Sequence, residues 1–314
     1  MKRVVFALLA LLFVLQSGAQ DSQTAYNFLR LPVSAHVAAL GGDNISIPEN
    51  DPTLLFHNPA LINNVSDKTL NLNFMTYMQG AKTASASFVR AAGQRGSWAV
   101  GAQFMDYGSM KETTYTGEQT GTFGAKDISV CGAFAYGLAN HLTGAITAKA
   151  ITSYIGQYNS LAMGVDLGLN YYLPESEWSF SAVVRNLGGQ LNAYEDDFER
   201  MPLDLQVGVT KRLVGSPLRI SASLVRLNNW DFKFGNHLVV GAELMLGDQF
   251  YIAAGYNALR AAEMKVSTGD GESARMAGLS LGGGLMLQRL QLHVAYAKYH
   301  VSASSLTINV TYQL

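Results

Sequence analysis

The chain is almost without cysteine. Cys131 is the only one in 314 residues, so no intrachain disulfide can form. Proline is scarce, with seven, and charged residues make up only 14%. After residue 19 no apolar run approaches the roughly 20 residues of a membrane-spanning helix. These shortages exclude a disulfide-stapled domain and a helical membrane protein. Lys and Arg together number 22 against 23 Asp and Glu. That balance offers no basic surface for nucleic acid.

The first residues are an exception to the rest. Lys2 and Arg3 precede an apolar run over 4–15, and Ser17-Gly18-Ala19 supplies small residues for cleavage. This pattern reads as a secretory signal peptide over 1–19. Its apolar run, 12 residues long, is too short to span a bilayer. With no cysteine beside the cleavage site, a lipoprotein is not expected. The mature chain starts near Gln20 with a formal net charge of −3 once Lys2 and Arg3 are gone.

What is present is glycine (31), tyrosine (15) and phenylalanine (14). Little charge, much glycine and aromatic, and no spanning helix leave a soluble all-β protein or an outer-membrane barrel. From Leu70 onward apolar and polar residues alternate with period two, the signature of strands with two unlike faces. Leu70, Leu72 and Phe74 oppose Asn71 and Asn73, and near the end Leu306, Ile308, Val310 and Tyr312 oppose Thr307, Asn309 and Thr311. Counting such runs gives fourteen strands, an even number as a single-chain bacterial barrel requires. The connections sort by length. After even strands they are short, as at 93–97, 139–141 and 247–249. After several odd strands they are long, at 108–126, 186–202, 228–236 and 257–275. Short turns at one end and long loops at the other mark a membrane barrel, with periplasmic turns and external loops.

The bulky phase of each strand is expected to face lipid. The other phase is rich in Gly, Ala and Ser, with Asp166, Arg185, Asp204, Arg219 and Glu243 scattered through it. These charges are read as structural, paired with one another or with whatever fills the lumen. Residues 20–68 do not alternate. Pro32, Gly41-Gly42, Pro48, Pro52 and Pro59 break that stretch into pieces, and 37–40 and 54–56 are each long enough for a turn or two of helix. Asp51 before Pro52 reads as an N-cap and first helical residue. The expected architecture is an all-β, 14-stranded antiparallel transmembrane β-barrel over 69–314, with an N-terminal plug of short helices and irregular segments over 20–68.

No catalytic, cofactor or metal site is expected. Gly278-Leu279-Ser280-Leu281-Gly282 has the G-x-S-x-G spacing, but Ser280 falls mid-strand instead of on the strand-to-helix turn that chemistry needs. The six histidines show no H-x-x-x-H pair. Glu195-Asp196-Asp197 with Glu199 lacks the spacing of a calcium loop and reads as a solvated acidic loop. Cys131 lies among inward alanines as a small packing residue.

Phe28-Leu29-x-Leu31-Pro32-x-Ser34-Ala35, Ala39-Leu40-Gly41-Gly42-x-Asn44-Ile45-Ser46, Asp51-Pro52 and Asn58-Pro59-Ala60-Leu61 together resemble the PorV/PorQ group of outer-membrane proteins. Asn58-Pro59-Ala60 is also shared with the wider FadL-like fatty-acid channels. The chain departs from the group at His36, where relatives often carry Arg. The resemblance implies a non-enzymatic component of the type IX secretion system in the outer membrane of a Bacteroidota bacterium. It would sit in outer-membrane lipid with its loops at the cell surface. It would anchor a PorZ-like surface partner in an attachment complex with PorU and PorV, with lipopolysaccharide contacted through those partners. The plug motif would be Leu31, Pro32, Ser34, Ala35, Gly41, Gly42, Asn58, Pro59 and Ala60. Tyr115, Phe123, Tyr194, Phe198, Trp230 and Phe232, with Leu191 and Phe234, are aromatic or apolar residues in the long loops and suit a partner-binding surface. The alternative is a FadL-like transporter of hydrophobic compounds. It requires an apolar pocket of bulky side chains beneath the loops, against which the small inward phase counts.

Overall fold

The computed structural model describes residues 24–247, 249–264, 277–300 and 303–314. The expected signal peptide and much of the expected loop 257–275 lie outside the described residues. Fourteen strands follow in chain order: β1 (Thr69–Thr76), β2 (Lys82–Ala92), β3 (Gly96–Thr113), β4 (Gln119–Ala139), β5 (Leu142–Ile155), β6 (Tyr158–Leu173), β7 (Trp178–Asn192), β8 (Asp204–Arg212), β9 (Leu218–Leu224), β10 (Leu238–Leu246), β11 (Phe250–Asn257), β12 (Leu279–Met286), β13 (Leu290–His300) and β14 (Ala303–Gln313). Each pairs antiparallel with the next. β14 closes the barrel on β1, with Thr69 opposite Gln313 and Met75 opposite Thr307. Closure leaves no strand edge, so every ladder group has a partner inside a solvent that offers none.

Strand faces follow the alternation. In β1, Thr69, Asn71, Asn73 and Met75 are buried while Leu72 and Phe74 are exposed. Val130 and Leu281 expose more than half their surface, at 56% and 58%. A water-soluble β-protein would bury such residues; here the apolar band points away from the barrel axis, as a lipid-facing wall must. Aromatic side chains gather near the short-turn end, among them Tyr136, Tyr171, Trp178 and Tyr312. Arg95 lies over the Tyr136 ring at 5.5 Å, and Lys211 Nζ over Trp178 at 5.2 Å. Such amphipathic rings and cations belong at a membrane–water boundary.

The lumen is filled by the N-terminal segment. Its pieces are a 3-10 turn (Asn27–Arg30), a short helix α1 (Ala35–Ala39), and two further 3-10 turns (Pro52–Phe56 and Pro59–Asn64). Each of the last three starts on a side-chain cap. Ser34 accepts from Val37 N, Asp51 from Thr53 N and Asn58 from Ala60 N, and proline opens both 3-10 turns, where its missing N–H costs nothing. The apolar cores are plug-on-wall. Leu40, Leu54 and Leu61 pack with Tyr251 and Ala253, and Phe28 and Leu29 with Met105 and Ile151. Leu55 and Ile62 pack with Cys131 and Ala133.

Two expected loops are corrected. The stretch 108–126 is largely strand, since β3 runs on to Thr113 and β4 starts at Gln119, and 186–202 begins as strand, since β7 reaches Asn192. The reason is that antiparallel pairing continues above the bilayer, where no lipid enforces an apolar phase. Met110 still faces Phe123 across the ladder after a register shift past Asp106. The stretch after β11 also carries a helix, α2 (Ala258–Glu263), capped by Asn257.

Candidate functional site

The plug is held by side chains that reach across the lumen. Ser34 Oγ donates to Asp51 Oδ2 (2.7 Å), tying α1 to the next turn. Asn58 Nδ2 donates to Ile45 O (3.0 Å) and Leu169 O (3.2 Å), so one amide joins two plug pieces to β6. Ala35 N donates to Asn309 of β14. Arg185 Nη2 donates to Leu29 O (2.9 Å) and Gln103 Nε2 to Phe28 O (3.3 Å). Gly41 and Gly42 have φ of 106° and 97°, a left-handed turn that glycine adopts without strain. Leu31 and Pro32 border the mouth described below, and Pro59 and Ala60 sit in the turn capped by Asn58. Among the plug-motif residues, Ser34, Asn58 and the two glycines shape the segment, Ala35 and Asn58 tie it to the wall, and Leu31 and Pro32 border the mouth.

Buried charge completes the seat. Arg219 of β9 meets both Glu49 of the plug and Glu243 of β10, and His36 Nε2–H donates to Glu243 Oε2 (2.5 Å). His36 stacks on Tyr251 with centroids 4.1 Å apart, and Tyr251 Oη lies 2.9 Å from His293 Nδ1. Burial lowers the His36 pKa to about 4, with Arg219 adding to the effect against Glu49 and Asp51. Burial opposes ionisation of Glu49, but Arg219 together with His36 and His293 outweighs it, and the Glu49 pKa falls below the usual carboxylate range. His57 Nε2 accepts from Val33 N and Ser34 N (3.4 Å each); burial, reinforced by Arg185, keeps it neutral well below its ordinary pKa. Of the inward charges expected from sequence, Arg185, Arg219 and Glu243 hold the plug. Asp166 pairs with Lys149 (2.7 Å), and Asp204 accepts from Gln206 Nε2 (2.7 Å) and Arg226 N (2.7 Å).

Two cavities open at the long-hairpin end, on either side of a strut made by Asn27, Leu31 and Tyr77, which line both. The smaller, about 430 Å³, is polar, with Arg30, Arg226 and Arg260 among Asp43, Asp204 and Glu263. Arg260 is fully engaged there. It donates to Gly278 O (2.8 Å), Ala277 O (3.1 Å), Gly41 O (3.3 Å) and Ser280 Oγ (2.6 Å), and its guanidinium lies 4.7 Å over the Tyr299 ring. Ser280 is an acceptor in this clasp and is the second residue of β12, nearer the strand's start than the expected mid-strand position.

The larger cavity, about 930 Å³, lies between the plug and the upper ends of β3–β6. Tyr26, Phe28, Met105, Tyr107, Phe123 and Tyr158 form much of its lining, and Glu195, Asp196, Asp197 and Glu199 its acidic rim. Asp127 lies at its side, accepting from Tyr107 Oη (2.6 Å) and from Ser153. This corrects the expectation that small inward residues leave no bulky apolar pocket. The bulk comes from the plug and from strand ends above the bilayer, not from the intramembrane phase. The loop aromatics divide accordingly. Phe123 and Tyr194 line the cavity. Tyr115, Phe198, Trp230 and Phe234 are exposed, as is Leu191. Phe232 is half-buried against His237, ring centroids 5.8 Å apart. Sequence reading missed Tyr26, Met105, Tyr107 and Asp127. Only their clustering in space marks them.

Among solved structures the chain is similar to the toluene transporter TodX of Pseudomonas putida (14% identity, TM-score 0.58, covering 90% of this chain and 97% of that one). It is similar also to the monoaromatic hydrocarbon channel CymD (14%, 0.58, 92% and 99%) and to a Pseudomonas aeruginosa FadL homologue (12%, 0.51, 90% and 98%). At these identities the likeness establishes the fold alone, a closed 14-strand antiparallel barrel like those of these proteins. No protein-family model and no curated protein matches the sequence.

Proposed function

We propose that the protein admits hydrophobic compounds at the outer membrane through the larger mouth cavity. The observation that carries this reading is the cavity itself: about 930 Å³ lined by tyrosine, phenylalanine and methionine, enough for a small aromatic or aliphatic molecule. The similarity to TodX, CymD and a FadL homologue supports it over the anchoring role that the PorV/PorQ resemblance implies. Ala125 is buried and lines the cavity from β4. Ala125→Trp would fill the space with an indole. Proteoliposomes of the wild type should take up a neutral monoaromatic faster than empty liposomes, and the Ala125→Trp protein should lose that excess while keeping its folded, heat-modifiable mobility. Equal uptake by the two proteins would refute the reading.

A second reading, a surface anchor, draws on a different observation. Tyr115, Phe198, Trp230 and Phe234 stand in water at the same end, and large exposed rings of that kind suit a protein contact. On this reading the partner is PorZ-like, held with PorU and PorV in a type IX attachment complex. Replacing Tyr115, Phe198, Trp230 and Phe234 by serine would then release a surface protein into the medium while barrel insertion persists. Full retention of every surface protein would end this alternative.

A further inference from the structure

We infer that the larger mouth cavity prefers aromatic or amphiphilic cations, such as quaternary ammonium compounds, over neutral and anionic hydrophobes of equal size. The inference rests on the proposed function and names the substrate class of the same cavity. The argument starts from the charges on the lining. Glu195, Asp196, Asp197 and Glu199 border the cavity, and among the described residues no Lys, Arg or His lines it. None of these four carboxylates makes an ion pair among the described residues. The nearest cation in sequence, Arg200, is exposed, does not line the cavity, and forms no ion pair with any of the four. Asp127, at the side of the cavity, accepts from Tyr107 and Ser153 and brings no positive charge to the lining. The field at the entrance is therefore set by four unpaired carboxylates, and it favours positive charge.

Beneath the rim the lining is ring-rich, with Tyr26, Phe28, Tyr107, Phe123, Tyr158 and Tyr194. Aromatic faces carry negative quadrupole charge and attract an alkylammonium that has lost part of its water. Methionine sulfur from Met78, Met105 and Met110 adds polarisable surface. A carboxylate ligand would meet the opposite conditions: a like-charged rim and no cationic partner inside. The polar cavity across the strut sets Arg30, Arg226 and Arg260 among Asp43, Asp204 and Glu263, so the two halves differ in charge balance as well as in polarity.

The test uses the full chain in nanodiscs and three water-soluble probes of one ring each: benzyltrimethylammonium, benzyl alcohol and benzoate, with empty nanodiscs subtracted. Equilibrium dialysis at low salt should show the cation binding about tenfold tighter than the alcohol, the combined size of exposed ion pairs and a cation–π contact. Benzoate should bind weaker than both. In the E195Q/D196N/D197N/E199Q protein the cation-to-alcohol ratio should fall to about threefold, the share left to the cation–π contact, and in the wild type it should shrink as salt rises. If benzyl alcohol binds and the cation binds no tighter, this inference fails while the proposed function stands. If neither binds the wild type, both fail. A ratio that stays near ten in the quadruple variant would overturn the role given to the rim.

Discussion

Gly255 offers the most direct test of how the plug is seated. It lies on the lumen face of β11, where the backbone of Leu40 and Gly41 presses against it closely enough that no β-carbon fits. Its neighbours repeat the device. A β-carbon at Gly241, its ladder partner, would meet the Leu40 side chain at 2.8 Å, and one at Gly282 would meet Ala39 Cβ at 2.6 Å. In Gly255→Ala the obstacle is backbone, so the plug must move. Overpacking of a tight core costs about 1–3 kcal/mol. Moving Gly41 also strains its carbonyl's bonds from Asn257 Nδ2 (3.2 Å) and Arg260 Nη1 (3.3 Å), each worth about 1 kcal/mol. A total near 3 kcal/mol corresponds to about a hundredfold in the docking equilibrium. Hydrogen exchange reads this directly, because Gly42 N–H bonds to Val37 O (2.9 Å) and Leu40 N–H to His36 O (3.2 Å) only while α1 is intact. Protection of these amides should drop about a hundredfold in Gly255→Ala, with β-strand amides unchanged. Gly132→Ala, on the exposed outer face with open space around it, is the control. Equal protection in the two variants would show that the plug does not rest on β11 in this way.

Three further outcomes follow from the same contacts. Asn58→Ala removes a cap and leaves Ile45 O and Leu169 O unserved, a cost of about 1–3 kcal/mol; limited proteolysis should cut between residues 40 and 66 faster, and Asn58→Asp, which keeps the cap acceptor, should fall between it and the wild type. Arg219→Met strands Glu49 and Glu243 without their shared cation, costing about 3–5 kcal/mol; the double variant with Glu49→Gln should recover part of the lost urea resistance. Because the folded pKa values of His36 and His57 lie below the 6.5 of a free imidazole, the released plug binds protons that the docked plug does not; urea resistance of docking should be full above pH 6.5 and fall from there toward pH 4, and His57→Gln should flatten that fall.

How far the sequence carries one to this picture depends on which solvent a residue meets. Lipid enforces the outer phase, so Leu72, Phe74, Val130 and Leu281 announce their face by period two. Local hydrogen bonds enforce the caps, so Asp51-Pro52 and Asn58-Pro59 are readable as turn starts. Above the bilayer neither constraint acts. Lys111, Glu112 and Thr122 carry the β3–β4 ladder with no apolar alternation, and that stretch reads as loop. Contacts between distant segments leave no local trace at all. His36, Tyr251 and His293 stack from a plug helix and two strands, and nothing near any of them in sequence signals the others. The mouth cavity is hidden for the same reason, assembled from a plug turn, four strand ends and a loop.

That assembly has an energetic consequence. Tyr26 and Phe28 belong at once to the cavity lining and to the core that seats the plug, where they pack with Met105, Ile151 and Ala162. Tyr26 also hydrogen-bonds Ser160 and accepts from Gln190 Nε2 (3.2 Å), so the cavity floor exists only while the plug's first turn is docked. A compound that fills the cavity then binds the docked state alone. It stabilises docking by an amount that grows with the logarithm of its concentration over its Kd, and anything that loosens the first turn weakens its binding by the same factor. Ligand occupancy should therefore raise the protection of the Leu29 and Leu31 amides, which bond to Tyr26 O (3.0 Å) and Phe28 O (3.1 Å). The helix α1, seated on β11–β14, shares none of that lining and should respond far less. Entry at the mouth and retention of the plug are on this account one equilibrium, with the rim carboxylates choosing which compounds shift it.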